Sequence, residues 1–212
     1  MITETGENVQ KVTFLDIETT GQIVGLHGIT QIAAHMGHFT YDPFGFPVYH
    51  HYDSIDLKMA PFEEDEIDPA ALEHIGVTYE EVVSRPDPVD QYERYVEWLG
   101  SYINKFDKYD KLTMISYWSH FDMDHLRQWF KNCGDTYFGS WFWCPPIDVS
   151  TMVQQRLIED GMRGAMWNVQ LGTVCDHFGI VRDGELHDAI VDCTILKNLY
   201  LHLRCHGCEQ SS

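Results

Sequence analysis

The stretch that decides the fold is K-V-T-F-L-D-I-E-T-T-G, residues 11–21. Lys11 to Ile17 is a short, nearly continuous apolar run with β-branched and aromatic residues, the pattern of a strand covered on both faces. It ends in acid. Residues two apart on a strand point to the same side, so Asp16 and Glu18 present their carboxylates together while Ile17 packs on the opposite face. Two adjacent negative charges repel unless a positive charge sits between them. Hard oxygen ligands of this kind suit Mg²⁺ or Mn²⁺. Thr19-Thr20-Gly21 then closes the strand with a turn.

Outward from this strand the chain reads as strands first, then helix and strand in alternation. Ile29–His38 is a second strand, residues 41–47 a hairpin connection, and Val48–Leu57 a third strand. An acidic loop follows, with Glu63, Glu64, Asp65, Glu66 and Asp68, and reads as a solvated surface. Asp68-Pro69 opens a short helix as N-cap and first helical residue. Thr78 and Glu81 have capping-box spacing for another. Val89, Tyr92, Val96, Leu99 and Ile103 recur at helical period. Leu112–Tyr117 is a central strand, and Met123, Leu126, Trp129 and Phe130 mark the helix after it. A short strand lies within Trp141–Val149, with Ser150 expected to cap the following helix. Leu171–Phe178 is a helix closed by Gly179, and Ala189–Leu203 is the last. This order predicts an α/β domain with a mixed sheet flanked by helices. With no internal repeat and no convincing linker, one domain over 1–212, with a core of about 10–203, is the simplest organisation.

Composition bounds the function. The chain has 212 residues, 44% of them hydrophobic and 13% aromatic, and describes a globular protein. No apolar run approaches the ~20 residues of a membrane span, and residues 1–10 lack the features of a signal peptide. A cytoplasmic setting, or host cytoplasm for a viral source, and no membrane partner are expected. The six cysteines are irregularly spaced and read as free thiols. Cys205-His206-Gly207-Cys208 is a lone C-x-x-C beside His202, without the second pair a zinc site needs. The net charge of −19 disfavours long, non-specific duplex binding. Two divalent cations on four carboxylates would bring it only to −15. Engagement of a few nucleotides at a strand end remains compatible with such a surface, because bound ions themselves hold phosphate.

F-L-D-I-E-T-T-G resembles the first motif of the DEDD exonucleases, the family that includes the proofreading epsilon subunit of bacterial DNA polymerase. The second motif of that family is matched by Trp118-Ser119-His120-Phe121-Asp122, at the junction between a strand and a helix. Trp118 stands where the family usually has asparagine and Ser119 where it has alanine. The third is matched by His187-Asp188-Ala189-Ile190-Val191-Asp192, which opens the final helix. Asp192 lies about one and a third turns after His187, so both can face one side. Asp188 reads as an N-cap. The segments around Asp68–Leu72 and Ile75–Thr78 echo epsilon-like exonucleases, and Ile147–Thr151 echoes oligoribonucleases, with Asp148 reading as a helix-start residue.

The resemblance implies a ribonuclease H-like fold with a five-stranded mixed sheet. It further implies a DEDDh 3'-5' exonuclease that uses two Mg²⁺ or Mn²⁺ ions held by Asp16, Glu18, Asp122 and Asp192, with His187 as general base. Thr19, Thr20 and Gly21 would lie over the terminal sugar. Trp118, Ser119 and Phe121 would neighbour the terminal base. The expected substrate is the 3' end of single-stranded or frayed DNA, released as nucleoside monophosphates. Two other readings stand beside it: an oligoribonuclease-type enzyme on short RNA, and a non-catalytic nucleic-acid-binding module. A polymerase partner and the oligomeric state cannot be read from the chain.

Overall fold

The computed structural model describes residues 9–182 and 188–205. Among the described residues, five strands form one sheet in the order β3-β2-β1-β4-β5. They are β1 (Lys11–Thr19), β2 (Ile29–Tyr41), β3 (Pro47–Lys58), β4 (Thr113–Ser116) and β5 (Ile147–Asp148). The pairs β1–β2 and β2–β3 are antiparallel, whereas β4 lies parallel to β1 and β5 parallel to β4. The sheet is therefore mixed, and β1 is central. This is the arrangement expected from strands that come first and a helix–strand alternation that follows.

The helices that accompany the sheet are α1 (Pro69–His74), α2 (Tyr79–Val83), α3 (Pro88–Gly100), α4 (Ser119–Asn132), α5 (Val149–Glu159), α6 (Leu171–Phe178) and α7 (Ala189–Cys205). Their starts follow capping chemistry. Asp68 accepts from the Ala70 N–H with Pro69 at the first helical position. Thr78 accepts from Glu81 N–H and Asp87 from Val89 N–H. Gly179 ends α6 in the left-handed conformation, φ 67°, a geometry that glycine adopts without a Cβ clash.

One cap differs from the sequence expectation. The residue that caps α5 is Asp148, which accepts from both the N–H and the hydroxyl of Ser150. Ser150 lies inside the helix and serves the cap as a donor. Asp122 lies in the first turn of α4, which begins three residues earlier at Ser119. Asp188 does behave as an N-terminal cap, directly before α7, with Oδ1 3.4 Å from the Ile190 N–H.

The period-two alternation of β1 divides the core. Leu15 and Ile17 join a cluster with Ile32, Met36, Tyr95, Leu99, Leu126 and Trp129, covered by α3 and α4. Val12 and Phe14 join a second cluster with Val149, Val153, Val174, Leu196 and Leu199, covered by α5, α6 and α7. Phe14 is fully buried and meets Phe39, Tyr49 and Tyr200 edge-on. The Phe14 side of the strand continues into Asp16 and Glu18, so the same alternation that buries Phe14 delivers both acids toward α7.

Gly37 adjoins a register shift where β2 pairs with β3. A Cβ there would collide with the His50 carbonyl oxygen and lie 2.5 Å from the Tyr49 ring. Backbone cannot yield as a flexible side chain can. Gly37→Ala is expected to cost about 1–3 kcal/mol by overpacking. An unchanged urea midpoint for this variant would show that the hairpin is looser than its packing indicates.

Candidate active site

Four carboxylates from three separate parts of the chain converge at the C-terminal end of β1. Ligand oxygens of Asp16, Glu18 and Asp192 all lie within 4.8 Å of one another. Asp122 lines the same cavity of about 460 Å³. β1 supplies the first two acids through its alternation, the first turn of α4 supplies Asp122, and the first turn of α7 supplies Asp192.

Uncharged contacts hold α7 in place beside β1 and β2. Cys193 donates its thiol to the Phe14 carbonyl at 3.0 Å. Thr194 Oγ1 lies 2.9 Å from His35 Nε2, whose other ring nitrogen meets Ser54 at 2.7 Å. Gln31 donates its amide to Asp188 Oδ1 at 2.8 Å. These contacts fix the helix on either side of Asp192 and so set the position of its carboxylate.

The electrostatics are unfavourable as they stand. Burial pushes Asp16 well above the usual carboxylate range, and the charges of Asp122, Glu18 and Asp192 add to the effect. Burial likewise pushes Glu18 up to about 8, with Asp192, Asp122 and Asp188 acting in the same direction and Arg85 opposing them. Asp122 is pushed up to about 8, again by burial first. Its Oδ2 is buried with no hydrogen-bond partner. A set of oxygen donors, desolvated and mutually repelling, with one carboxylate oxygen left unsatisfied, has the chemistry of a divalent-cation site. The donor set therefore fits the metal that the sequence implies.

A second cavity of about 550 Å³ adjoins the first. Ile17, Glu18, His74, Trp118, Phe121 and Gln170 line both. Trp118 is 45% exposed and has φ 58°, a left-handed conformation that is rare for a residue of this size. It is held by the Asp148 carboxylate, which accepts from its N–H at 3.3 Å. Thus Asp148 both caps α5 and anchors the tryptophan.

The remaining expected residues separate into two groups. Thr19 and Gly21 line the second cavity with Gln22, and Phe121 lines both. Thr20 is buried: its hydroxyl bonds to the Glu66 carbonyl and its N–H to the Gly28 carbonyl. It serves the turn itself, and the N–H groups available toward the cavity are not its own. Ser119 is buried in the first turn of α4 and lines neither cavity. His187 lies outside the described residues, as does Cys208 of the C-terminal C-x-x-C. Sequence reading missed His74, Gln170, Asp176 and Arg182 as cavity-lining residues. Arg182 and Asp176 form an ion pair of 2.5 Å at the cavity edge.

The sign of the pH dependence follows from these shifts. The carboxylates have higher pKa values folded than unfolded, so the folded protein retains protons that the unfolded chain gives up. Their stabilising effect is complete below about pH 4 and is lost as pH rises toward 8. The metal-free protein is expected to melt at a lower temperature at pH 8 than at pH 5.5, and Mn²⁺ should restore the difference. A metal-free melting temperature that rises over this range would contradict the buried-acid geometry.

Comparison with known proteins agrees with this arrangement. A family model described as Exonuclease matches residues 13–200. No curated protein matches the chain in sequence. Among solved structures, E. coli exonuclease I superposes with a TM-score of 0.70 at 16% identity, over 94% of this chain and 41% of that one. Cell-death related nuclease 4 gives 0.69 at 14% identity, over 94% and 65%. The nuclease domain of 3'hExo, a DEDDh family member bound to rAMP, gives 0.65 at 13% identity, with 96% of both chains covered. The chain thus spans less than half the length of E. coli exonuclease I, and these likenesses establish a shared ribonuclease H-like fold. With the family match extending over nearly all of the chain and four acids gathered where β1, α4 and α7 meet, this chain belongs to the exonuclease family.

Proposed function

We propose that this chain hydrolyses phosphodiester bonds from the 3' end of single-stranded or frayed DNA and releases nucleoside monophosphates. The observation that carries this reading is the convergence of Asp16, Glu18, Asp122 and Asp192 in one cavity, with a second cavity beside it bounded by aromatic side chains. A pair of divalent ions, Mg²⁺ or Mn²⁺, would be held by these four acids and would supply an activated water and charge relief at the leaving oxygen.

The residues of the chain do the rest. Asp16, on the central strand and close to both Glu18 and Asp192, would hold the metal together with them. His187 takes the proton from the attacking water, since imidazole titrates near neutral pH. Its assignment rests on its position five residues before Asp192 in the chain. Trp118 and Phe121 face the boundary of the two cavities, where an aromatic ring offers a terminal base ~1–3 kcal/mol of stacking. Thr19 and Gly21 border the second cavity near the sugar that such a base would carry. A terminal nucleotide must leave its partner strand to enter, so a frayed end is favoured over a paired one.

Short RNA is the second reading, favoured by the acidic surface and by the oligoribonuclease-like segment Ile147–Thr151. One assay separates the readings. Matched 5'-labelled DNA and RNA oligomers should be shortened stepwise from the 3' end, DNA faster than RNA. EDTA should stop the reaction and Mn²⁺ restore it. Preference for RNA would exchange the two readings, and the absence of cleavage with either metal would leave only a binding module.

His187→Ala is expected to lower kcat by about 10²–10⁴ while Mn²⁺ binding, followed by calorimetry, persists. Asp192→Asn is expected to abolish hydrolysis and to weaken Mn²⁺ binding. Full activity in the histidine variant would remove the general-base assignment.

A further inference from the structure

The molecule carries a basic and aromatic surface at the end of the sheet opposite the acids. It is built by residues 104–112 and 137–143. Strand pairing joins the two segments: the Leu112 N–H donates to the Trp141 carbonyl at 2.9 Å, and the Trp143 N–H to the Leu112 carbonyl at 2.8 Å. Lys111 Nζ ties them further through the Gly139 carbonyl at 2.6 Å. Lys11, at the start of β1, donates to the Tyr102 carbonyl and to Asp110, both at 2.6 Å. The surface therefore sits at the N-terminal end of β1, and at ~3.3 Å per residue it is roughly 20 Å from Asp16 and Glu18.

Three of the chain's fourteen lysines and arginines fall in residues 105–111. Each points at a ring and not at a carboxylate. Lys105 Nζ lies 5.7 Å from the Phe106 ring centre and 5.2 Å from that of Trp141. Lys108 Nζ lies 4.7 Å from Tyr109, and Lys111 Nζ 5.1 Å from Trp143. None of the three forms an ion pair with a carboxylate among the described residues. The two acids of the loop are used within it. Asp110 binds Lys11 and the Asn104 N–H, and Asp107 accepts from the Tyr109 N–H. Phe106 and Tyr109 are 89% and 68% exposed. Cations beside exposed rings, on a chain whose other residues carry a strong negative excess, form the pattern that tracks a phosphate backbone and stacks its bases.

We infer that this surface binds the 5'-ward part of a single-stranded nucleic acid whose 3' end occupies the carboxylate site. The inference rests on the proposed nuclease reading for the direction of the strand. It also explains how a chain of net charge −19 engages a polyanion. These three lysines lie away from the metal ligands, so a strand too short to span the molecule gains nothing from them.

The test uses fluorescein-labelled single strands of oligo(dT) and oligo(U), 5 and 25 nucleotides long, with the full chain. Binding is followed by anisotropy in EDTA at several salt concentrations, and cleavage is followed in Mn²⁺. Two variants are compared with the wild type: Lys105→Gln with Lys108→Gln and Lys111→Gln, and Phe106→Ala with Tyr109→Ala. Both are expected to weaken 25-mer binding at least about fivefold. The lysine variant should also flatten the salt dependence by about 2 in the log–log slope, because three phosphates are no longer neutralised. Cleavage of the 5-mer should be unchanged in both. Equal losses for both lengths, or no loss for the 25-mer, would overturn the inference. A wild type that binds the 25-mer through these residues yet cleaves neither length would keep the surface and overturn the nuclease reading.

Discussion

The interaction on which the site depends is the repulsion among four carboxylates held together in a poorly solvated pocket. The chain itself relieves it only in part, through the charge of Arg85 acting on Glu18. Gln31 and Lys58 attend Asp188, and no lysine or arginine forms an ion pair with Asp16, Glu18 or Asp122 among the described residues. The cluster is instead forced together by packing that carries no charge: Phe14 in its aromatic cage, the Cys193 thiol on the Phe14 carbonyl, and Thr194 on His35. Such a pocket is stable when protons or cations enter it and strained when neither does. A site preorganised in this way meets a cation without reorganising its ligands.

Trp118 shows the same logic on a smaller scale. A tryptophan in the left-handed region strains the backbone, and residues of this kind persist where the surroundings over-determine them. Here Asp148 holds its N–H, and the helix that follows requires the chain to turn sharply out of β4. The ring remains partly in solvent between two cavities, where a core position would have buried it. The strained residue thus borders both cavities beside the carboxylates, as departures from local preference do at functional sites.

The strand periodicity of residues 11–18 was legible because sheet alternation is a local property, and it placed Asp16 and Glu18 on one face without tertiary knowledge. Asp122 and Asp192 were legible only through motif resemblance, since an aspartate near a helix start is ordinarily a cap. The structure separates the cases: Asp148 and Asp188 cap, while Asp122 and Asp192 lie in the first turns of their helices and line the cavity. Helix boundaries shifted by three residues at α4 decide that difference, and boundaries are where sequence patterns are weakest. His74, Gln170 and Arg182 could not be found in this way, because they reach the cavity from separate parts of the chain with no shared spacing. Thr20 was misplaced for the opposite reason: its motif position is right, but the turn consumes its donors.

The acidity of the chain is itself informative about how a polyanion would be handled. Screening at physiological salt confines the influence of exposed charges to ~8 Å. A net charge of −19 is therefore not felt uniformly, and local arrangement decides what a strand meets. At the carboxylate end, the acids repel phosphate until cations convert them into a phosphate-holding site. At the opposite pole, Lys11, Lys105, Lys108 and Lys111 stand against Asp107 and Asp110, a local excess of two positive charges. A polyanion held at both poles would have to bend between them, which a single strand does more readily than a duplex with a persistence length of about 150 base pairs.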